Sequence, residues 1–505
     1  MQKKKLTLVI VSLLVVVLSV SLAWFTTQII GKGKDVSVTS ANLQIVFTDS
    51  DGALTETDIE PGWSATKTFT IKNDTKTEYK YNIVIKDLLN TFVTEGYLQY
   101  KITSTNDGYN MTEFKDIPKS SIATDTILAY SVVIPNGVTQ SYTIEFKYAN
   151  DENVDQSDDM GKKLSGTLFI TEGTEQPTLL SQILNDNPTR NTRDTYDAVF
   201  TNNTTGTLFT ATEKNVHNIA DTTVYYYAGN TTNNWVKFAG YYWRIIRTNA
   251  DGSVRMLYSG TEAEGTTGTN GMINTSTAFN SSYNSPKYVG YMYGENDDTL
   301  ANARTNTKNS TIKDKIDTWY AQNMTSYTKY LSTTAVYCND RTEKTSGTYT
   351  TGNTTFYYAP YARVYTNYAP TYDCTEASDA FSGSNTSAKL TYPIALMTAD
   401  EIMRAGGKVE TSLTSPYAWY YLNSTNGSIT GSNLWWLLSP NDWDGGIAFV
   451  FSVYGSSSPG YLYSVNVYYT IGVRPAISLK SCVKTSGGDG SANAPYTIEE
   501  STSGC

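Results

Sequence analysis

The sequence predicts a multidomain chain: an N-terminal membrane-spanning or signal helix, an all-β sandwich, then an α+β domain. Three observations predict it. Leu6 to Phe25 is almost unbroken apolar sequence behind Lys3-Lys4-Lys5. Residues 35–173 hold short alternating runs separated by turn signals. Beyond residue 196 such runs are interrupted by two stretches with helical periodicity and capping residues. At 505 residues the chain can hold two or three domains with real cores.

Composition narrows the function classes. The chain carries a net charge of −10, is 17% charged and shows no basic stripe, which argues against a nucleic-acid partner. Tyrosine is overused, with 40 copies, and His217 is the single histidine. General acid/base and zinc sites draw on histidine, so the chain does not read as an enzyme. Four cysteines, Cys338, Cys374, Cys482 and Cys505, allow three connectivities. The two shortest loops, Cys338–Cys374 and Cys482–Cys505, each close a Gly/Ser/Thr-rich segment and are the expected disulfides. No CxxC pair suggests a redox or metal site.

Residues 1–30 read as a signal peptide or a signal anchor. About 20 apolar residues suffice to span a bilayer, and Ser21-Leu22-Ala23 is an acceptable small-x-small cleavage site. Both outcomes stay open; if uncleaved, the segment ties the protein to the membrane. Lys3 to Lys5 stay inside, so the rest of the chain is outside, secreted or anchored.

In 35–173 the expected strands are 42–48, 64–72, 79–86, 98–103, 128–134, 141–148 and 165–171. Thr68-Phe69-Thr70-Ile71 and Tyr142-Thr143-Ile144-Glu145-Phe146 alternate clearly, and Pro61-Gly62, Asn73-Asp74 and Asn136-Gly137 separate runs. Regular short strands of this kind make a β-sandwich. Ala23-Trp24-Phe25-Thr26, Pro61-Gly62 before a strand, Tyr142-x-Ile144-x-Phe146 and Gly166-x-Leu168-x-Ile170 together resemble the camelysin/TasA group of bacterial exported proteins. That resemblance implies a spacer or a self-assembling module. Asp151 to Asp159 holds five carboxylates without an EF-hand glycine, and reads as a solvated acidic loop.

Residues 174–195 read as a linker, with one or two helical turns over Thr178–Leu184 before Asn187-Pro188, and 196–481 as the second domain. Ser310 or Thr311 caps a helix with the apolar stripe Ile312, Ile316, Trp319, Tyr320 and Met324. Thr398 caps another that stops at Gly406-Gly407. Landmarks follow in order: 238–247 (FAGYYWRIIR), 288–294 (YVGYMYG), 310–320, Cys338-Asn339-Asp340-Arg341, 390–394 (LTYPI), 398–402 (TADEI), Trp435-Trp436-Leu437-Leu438-Ser439-Pro440 and Gly472-Val473-Arg474-Pro475. Their order resembles the DUF6273-type family of surface domains of Gram-positive gut bacteria, which is similar to the C-type-lectin/formylglycine-generating-enzyme-like fold. The resemblance implies a C-type-lectin-like domain on the surface of such a cell. It implies no formylglycine-generating activity, since no reactive cysteine pair is evident. Residues 482–505 read as a disulfide-closed tail.

Between the double-Trp segment, with its strand-stopping Pro440, and Gly472-Val473-Arg474-Pro475 lies an interval of different character. Asn441, Asp442, Trp443, Asp444, Tyr454, Ser456, Ser457, Tyr461, Tyr463, Asn466, Tyr468 and Tyr469 are the expected ligand-binding residues. Tyr and Trp give broad contact at low entropic cost, and Ser and Asn give adaptable hydrogen bonds. Related C-type-lectin-fold proteins have such a region rewritten by diversity-generating retroelements at adenine-bearing codons, and the Asn, Asp, Tyr, Ser and Ile of 441–471 fit that process. Asn441, Asp442 and Asp444 offer oxygens to calcium, but calcium wants six to eight, so no cofactor or metal is assigned. Asp400-Glu401 and Asp340-Arg341 read as a cap and an ion pair. Arg474 reads as packed against the frame. Trp435 and Trp436 either share the core or place one ring on a carbohydrate-type platform. The resulting expectation is an exported surface protein that binds a protein or carbohydrate on another cell, phage or host. The alternative is a structural subunit of an extracellular matrix or fibre.

Overall fold

The computed structural model describes residues 36–40, 43–49, 54–56, 59–198, 200, 208–263, 270–412, 419–420, 434–455, 460–501 and 504–505. The expected N-terminal helix lies outside them, and among the described residues no helix is long and apolar enough to cross a membrane. The chain is mostly β-sheet and separates into two compact units, one ending at Gln176 and one beginning at Pro177.

The first unit contains β1 (Val36–Ser40), β2 (Leu43–Asp49), β3 (Leu54–Glu56), β4 (Ser64–Asn73), β5 (Tyr79–Asn90), β6 (Leu98–Ser104), β7 (Lys115–Asp116), β8 (Ser120–Ile134), β9 (Thr139–Tyr148) and β10 (Leu164–Glu172). One antiparallel sheet runs β1-β2-β4-β9-β6-β7 and the other β3-β10-β5-β8. Side chains alternate between faces along a strand, so Phe69 and Ile71 are buried while Thr68 is exposed and Thr70 half-buried. Phe69, Ile71, Ile144 and Phe146 of one sheet share a single core with Ile83, Ile85, Leu168 and Ile170 of the other. The acidic segment serves local structure. Asp151 accepts from the Asn153 amide and Asp155 from the Ser157 amide, each at 2.9 Å. Asp159 is buried against the amides of Val93 and Thr94 and the Tyr148 hydroxyl.

The second unit is built on two larger sheets. In the ten-stranded one, Tyr241–Thr248 pairs with Leu208–Asn215's neighbour Asn218–Tyr227, with Trp235–Phe238 and with Val254–Tyr258. Pro475–Leu479 lies between Val254–Tyr258 and Ile394–Leu396. Pro475, which has no amide hydrogen to donate, is the first residue of that strand. Residues 177–195 are not a free linker throughout. Thr178 caps the helix Leu179–Asp186, and the Leu179 amide bonds Val483 O at 2.8 Å. Nor is 482–505 only a tail, because Thr485–Gly487 and Tyr496–Ile498 join the sheet beside Trp235–Phe238.

The two expected helices are Thr311–Asn323, capped by Ser310, and Ala399–Ala405, where Thr398 and Glu401 form a reciprocal capping box. Gly406, at φ 123°, ends the latter. The disulfides are Cys338–Cys374 and Cys482–Cys505.

The six-stranded sheet contains Asn274–Ala278, Thr470–Val473, Trp435–Trp443, Ala448–Val453 and Leu462–Asn466, with Phe356–Tyr357 added to Trp435–Trp443. Pro440 does not stop its strand, contrary to expectation. The register shifts on both sides of Pro440, so a bulge absorbs the missing donor and pairing resumes at Asp442. Trp435 and Trp436 are both buried, the latter donating its indole N–H to Thr277 O at 2.8 Å. Arg474 is buried too: it donates to Tyr258 O and Tyr420 O and lies over the Trp435 ring.

Candidate binding site

The 441–471 interval forms two hairpins of the six-stranded sheet. At the first turn, the Asp444 carboxylate accepts the amides of Gly446 and Ile447 at 2.8 and 2.7 Å. Gly445 stands there at φ +97°, with Asn353 O only 2.6 Å from where a Cβ would sit. Only glycine fits both restraints. Beyond the second hairpin, where Leu462–Asn466 gives way to Thr470–Val473, Asn466 accepts the Tyr468 amide with its side chain and the Tyr469 amide with its carbonyl. Trp443 is buried and donates to Gly352 O at 2.9 Å. Asn441 is buried, and its carbonyl accepts the Tyr358 amide. Four of the expected ligand residues therefore build the frame in this structure. Ser456 and Ser457 lie outside the described residues.

The expected tyrosines fall into two groups. Tyr454, Tyr461 and Tyr463 are half-buried and in mutual ring contact, with centroids 5.3 to 6.3 Å apart. Tyr468 and Tyr469 are exposed and in ring contact with one another, and Tyr468 also touches Tyr283.

Beside the first group stands a segment that the sequence reading passed over. The strand Phe356–Tyr357 leads into the helical turn Ala359–Tyr361, with Pro360 at its start, and then a π-helix, Ala362–Asn367. Wide turns of this sort often mark functional sites. Tyr357 meets Tyr361 at 4.0 Å between centroids, and Tyr361 stacks on Tyr365 at 4.7 Å with planes 18° apart. Tyr365 reaches Phe451 of the central hairpin at 6.0 Å. Arg363, on the same π-helix, pins it. Its guanidinium takes Asp400 in a fork at 2.7 and 3.0 Å and Asp340 at 2.6 Å.

Electrostatics ties Tyr361 and Tyr365 to the first tyrosine group. Burial pushes the Tyr365 phenol well above its ordinary range, and Glu410, Tyr463, Tyr361 and Tyr461 push it further. The Tyr361 phenol is raised by burial, then by Tyr357, Asp442 and Glu410. Glu410 thus raises Tyr361, Tyr365 and Tyr461 alike, and Lys344 lies 5.2 Å from the Tyr361 ring centre.

Asp442 pairs with Tyr357 across the strands, but its carboxylate takes no hydrogen bond or ion pair from a described residue. Burial, then the Asp444 charge, raises its carboxyl from 3.8 to about 7. The raised value favours the protonated form in the folded chain. Its stability contribution is full below the unfolded carboxyl value and is lost as pH rises through about 7. Asp442→Asn is therefore expected to stabilise the second unit above pH 7, by on the order of 1–3 kcal/mol after allowance for residual solvent, with little effect near pH 4. Denaturant midpoints at several pH values check this. A variant no more stable than wild type at pH 8 would sink it.

Several other buried charged groups are paired. Glu401 accepts from Arg247 at 2.9 Å and Arg255 at 2.7 Å, and Arg341 pairs with Asp379 at 2.6 Å. A cavity of about 20 Å³ lies among Arg247, Arg255, Arg363, Asp340, Asp400 and Glu401, room for roughly one water. His217 Nε2 lies 2.8 Å from Ser382 Oγ, a buried hydroxyl that also accepts the Asn385 amide. Among the described residues, no carboxylate hydrogen-bonds the imidazole.

Tyr357, Tyr361, Tyr365 and Glu410 were missed by reading the sequence. The signal was there for Tyr361 and Tyr365: spacing by four behind a helix-initiating proline puts them on one face.

No family model and no curated protein matches the chain. A solved structure titled "AvmM Catalyzes Macrocyclization in Alchivemycin A Biosynthesis" is similar over 29% of this chain and 100% of that chain, at 10% identity and a TM-score of 0.16. A likeness of that size carries no argument.

Proposed function

We propose that the chain is an exported cell-surface binding protein. In this reading the second unit is a C-type-lectin-like domain of the DUF6273 type, and it offers its tyrosine surface to a protein or carbohydrate on another cell, phage or host. The observation that carries it is the joined set Tyr357, Tyr361, Tyr365, Tyr454, Tyr461 and Tyr463, half-exposed beside Asp442 and Glu410. Rings that are amphipathic, lose little entropy and stand on a buried frame are what a binding surface needs. Two disulfides suggest an oxidising, extracellular environment. The first unit, read as a camelysin/TasA-like module, spaces the second from the cell, and the N-terminal segment directs export. Rewriting of 441–471 by a retroelement belongs to the same reading.

Two readouts test it. The full chain is expected to remain monomeric and to bind at least one member of an array of bacterial polysaccharides and surface proteins. Tyr361→Ala should weaken that binding at least tenfold, the loss typical of an aromatic anchor. A chain that self-associates and binds nothing sensitive to Tyr361→Ala is a matrix or fibre subunit instead. For the diversification, codons 441–471 sequenced across related strains should vary at adenine-bearing positions while 435–440 and 472–475 stay fixed. Equal variation in the flanks retires that part.

A further inference from the structure

Among the described residues, the exposed tyrosines are Tyr283, Tyr468 and Tyr469, at 42%, 39% and 53%. They are neighbours. The Tyr283 and Tyr468 ring centres are 4.8 Å apart with planes 49° to one another, although 185 positions separate the two residues in sequence. That separation is close to the distance between the centres of two directly bonded aromatic rings. The backbone holds both rings in place. Tyr283 O accepts the Ala448 amide at 3.0 Å, and Ala448 O accepts the Val467 amide at 3.1 Å, so both tyrosines hang from one residue of the central hairpin. A further bond, from the Asn280 amide to Val467 O at 3.0 Å, closes the arrangement. Tyr469 flanks Tyr468 on a ring contact of its own, also at 4.8 Å. No ring contact among the described residues joins this trio to the other tyrosine surface. The other described tyrosines are buried or half-buried.

We propose that Tyr283 and Tyr468 are an oxidative cross-linking pair, coupled to dityrosine when the protein meets peroxide and a peroxidase outside the cell. Each phenol gives up one electron and one proton to form a phenoxyl radical. A carbon–carbon bond then forms between the ring carbons ortho to the two oxygens. Each ring restores its aromaticity by moving the ortho hydrogen to oxygen. The pair as a whole loses two electrons and two protons, which reduce one hydrogen peroxide to two waters. Proximity held in advance by the fold is what gives this pair an advantage over random encounters of tyrosines. The product ties the loop before Pro286 to the turn at 466–469.

The test treats the dilute full chain with hydrogen peroxide and a haem peroxidase, then digests it and sequences cross-linked peptides by mass spectrometry. The expected product joins the Tyr283 and Tyr468 peptides within one chain and is two hydrogens lighter than their sum. Tyr283→Phe and Tyr468→Phe should each remove it, whereas Tyr469→Phe should leave it. These are exposed, conservative changes, and unchanged melting curves would show that the fold is intact. The proposal is overturned if no dityrosine forms, if it joins only separate chains, if Tyr283→Phe leaves its yield unchanged, or if urea-unfolded protein gives the same linkage at the same yield.

Discussion

Glu401→Gln is expected to cost the second unit about 3–5 kcal/mol, the usual penalty for stranding a buried charge by removing its partner. Glu401 Oε1 accepts from both Arg247 and Arg255, and its other oxygen accepts the Thr398 amide at 3.0 Å. Gln can keep the cap but not the charge. Arg247 retains Glu213 at 2.8 Å, whereas no other carboxylate pairs with Arg255 among the described residues. Burial works against the Glu401 carboxylate, but Arg255 and then Arg247 outweigh it and hold the carboxyl below its ordinary 4.5. A depressed folded value means stability present above the unfolded carboxyl range and lost as pH falls through the folded value. The gap between wild type and variant should therefore be full at pH 7 and narrow in acid. Urea midpoints of the second unit measure it, and a gap under about 1 kcal/mol at pH 7 would show that the guanidiniums find other compensation.

Much of this frame was legible in the sequence because its signals are local. Ser310 and Thr398 stand where caps should, and Glu401 three residues on announces a capping box. Alternation in Thr68-Phe69-Thr70-Ile71 predicts which side chains meet the core. The disulfides followed from loop length and composition. Pro440 misled because the rule against proline in a strand is local, whereas the bulge that rescues it is set by the partner strand Ala448–Val453. The candidate site was legible only in part for a similar reason. Tyr461 and Tyr463 advertise themselves by composition. That Tyr357, Tyr361 and Tyr365 come to stand beside them depends on long-range pairing of Phe356–Tyr357 with Trp435–Trp443. Composition also could not separate Trp443 and Asn466, which hold the hairpins, from the tyrosines those hairpins display.

The disulfide Cys338–Cys374 joins stability to the proposed binding role. It closes a segment of 36 residues that carries Tyr357, Tyr361 and Tyr365. Releasing a loop of that length gives the unfolded chain entropy worth roughly 3–4 kcal/mol. The double variant Cys338→Ala, Cys374→Ala should lower the second unit's stability by about that amount, measured against wild type in denaturant. In the folded state Arg363 still clamps the π-helix through Asp340 and Asp400, so the tyrosines should keep their places at low temperature. Binding by the double variant is thus expected to survive in the cold and to fail on warming well before wild type does. Mild reduction of the native protein should reproduce the same pattern. If binding disappears in the cold while the unit remains folded, the staple itself, and not the Arg363 clamp, is what sets the tyrosine surface. If stability is unchanged as well, the loop is already constrained in the unfolded chain and the entropic account fails.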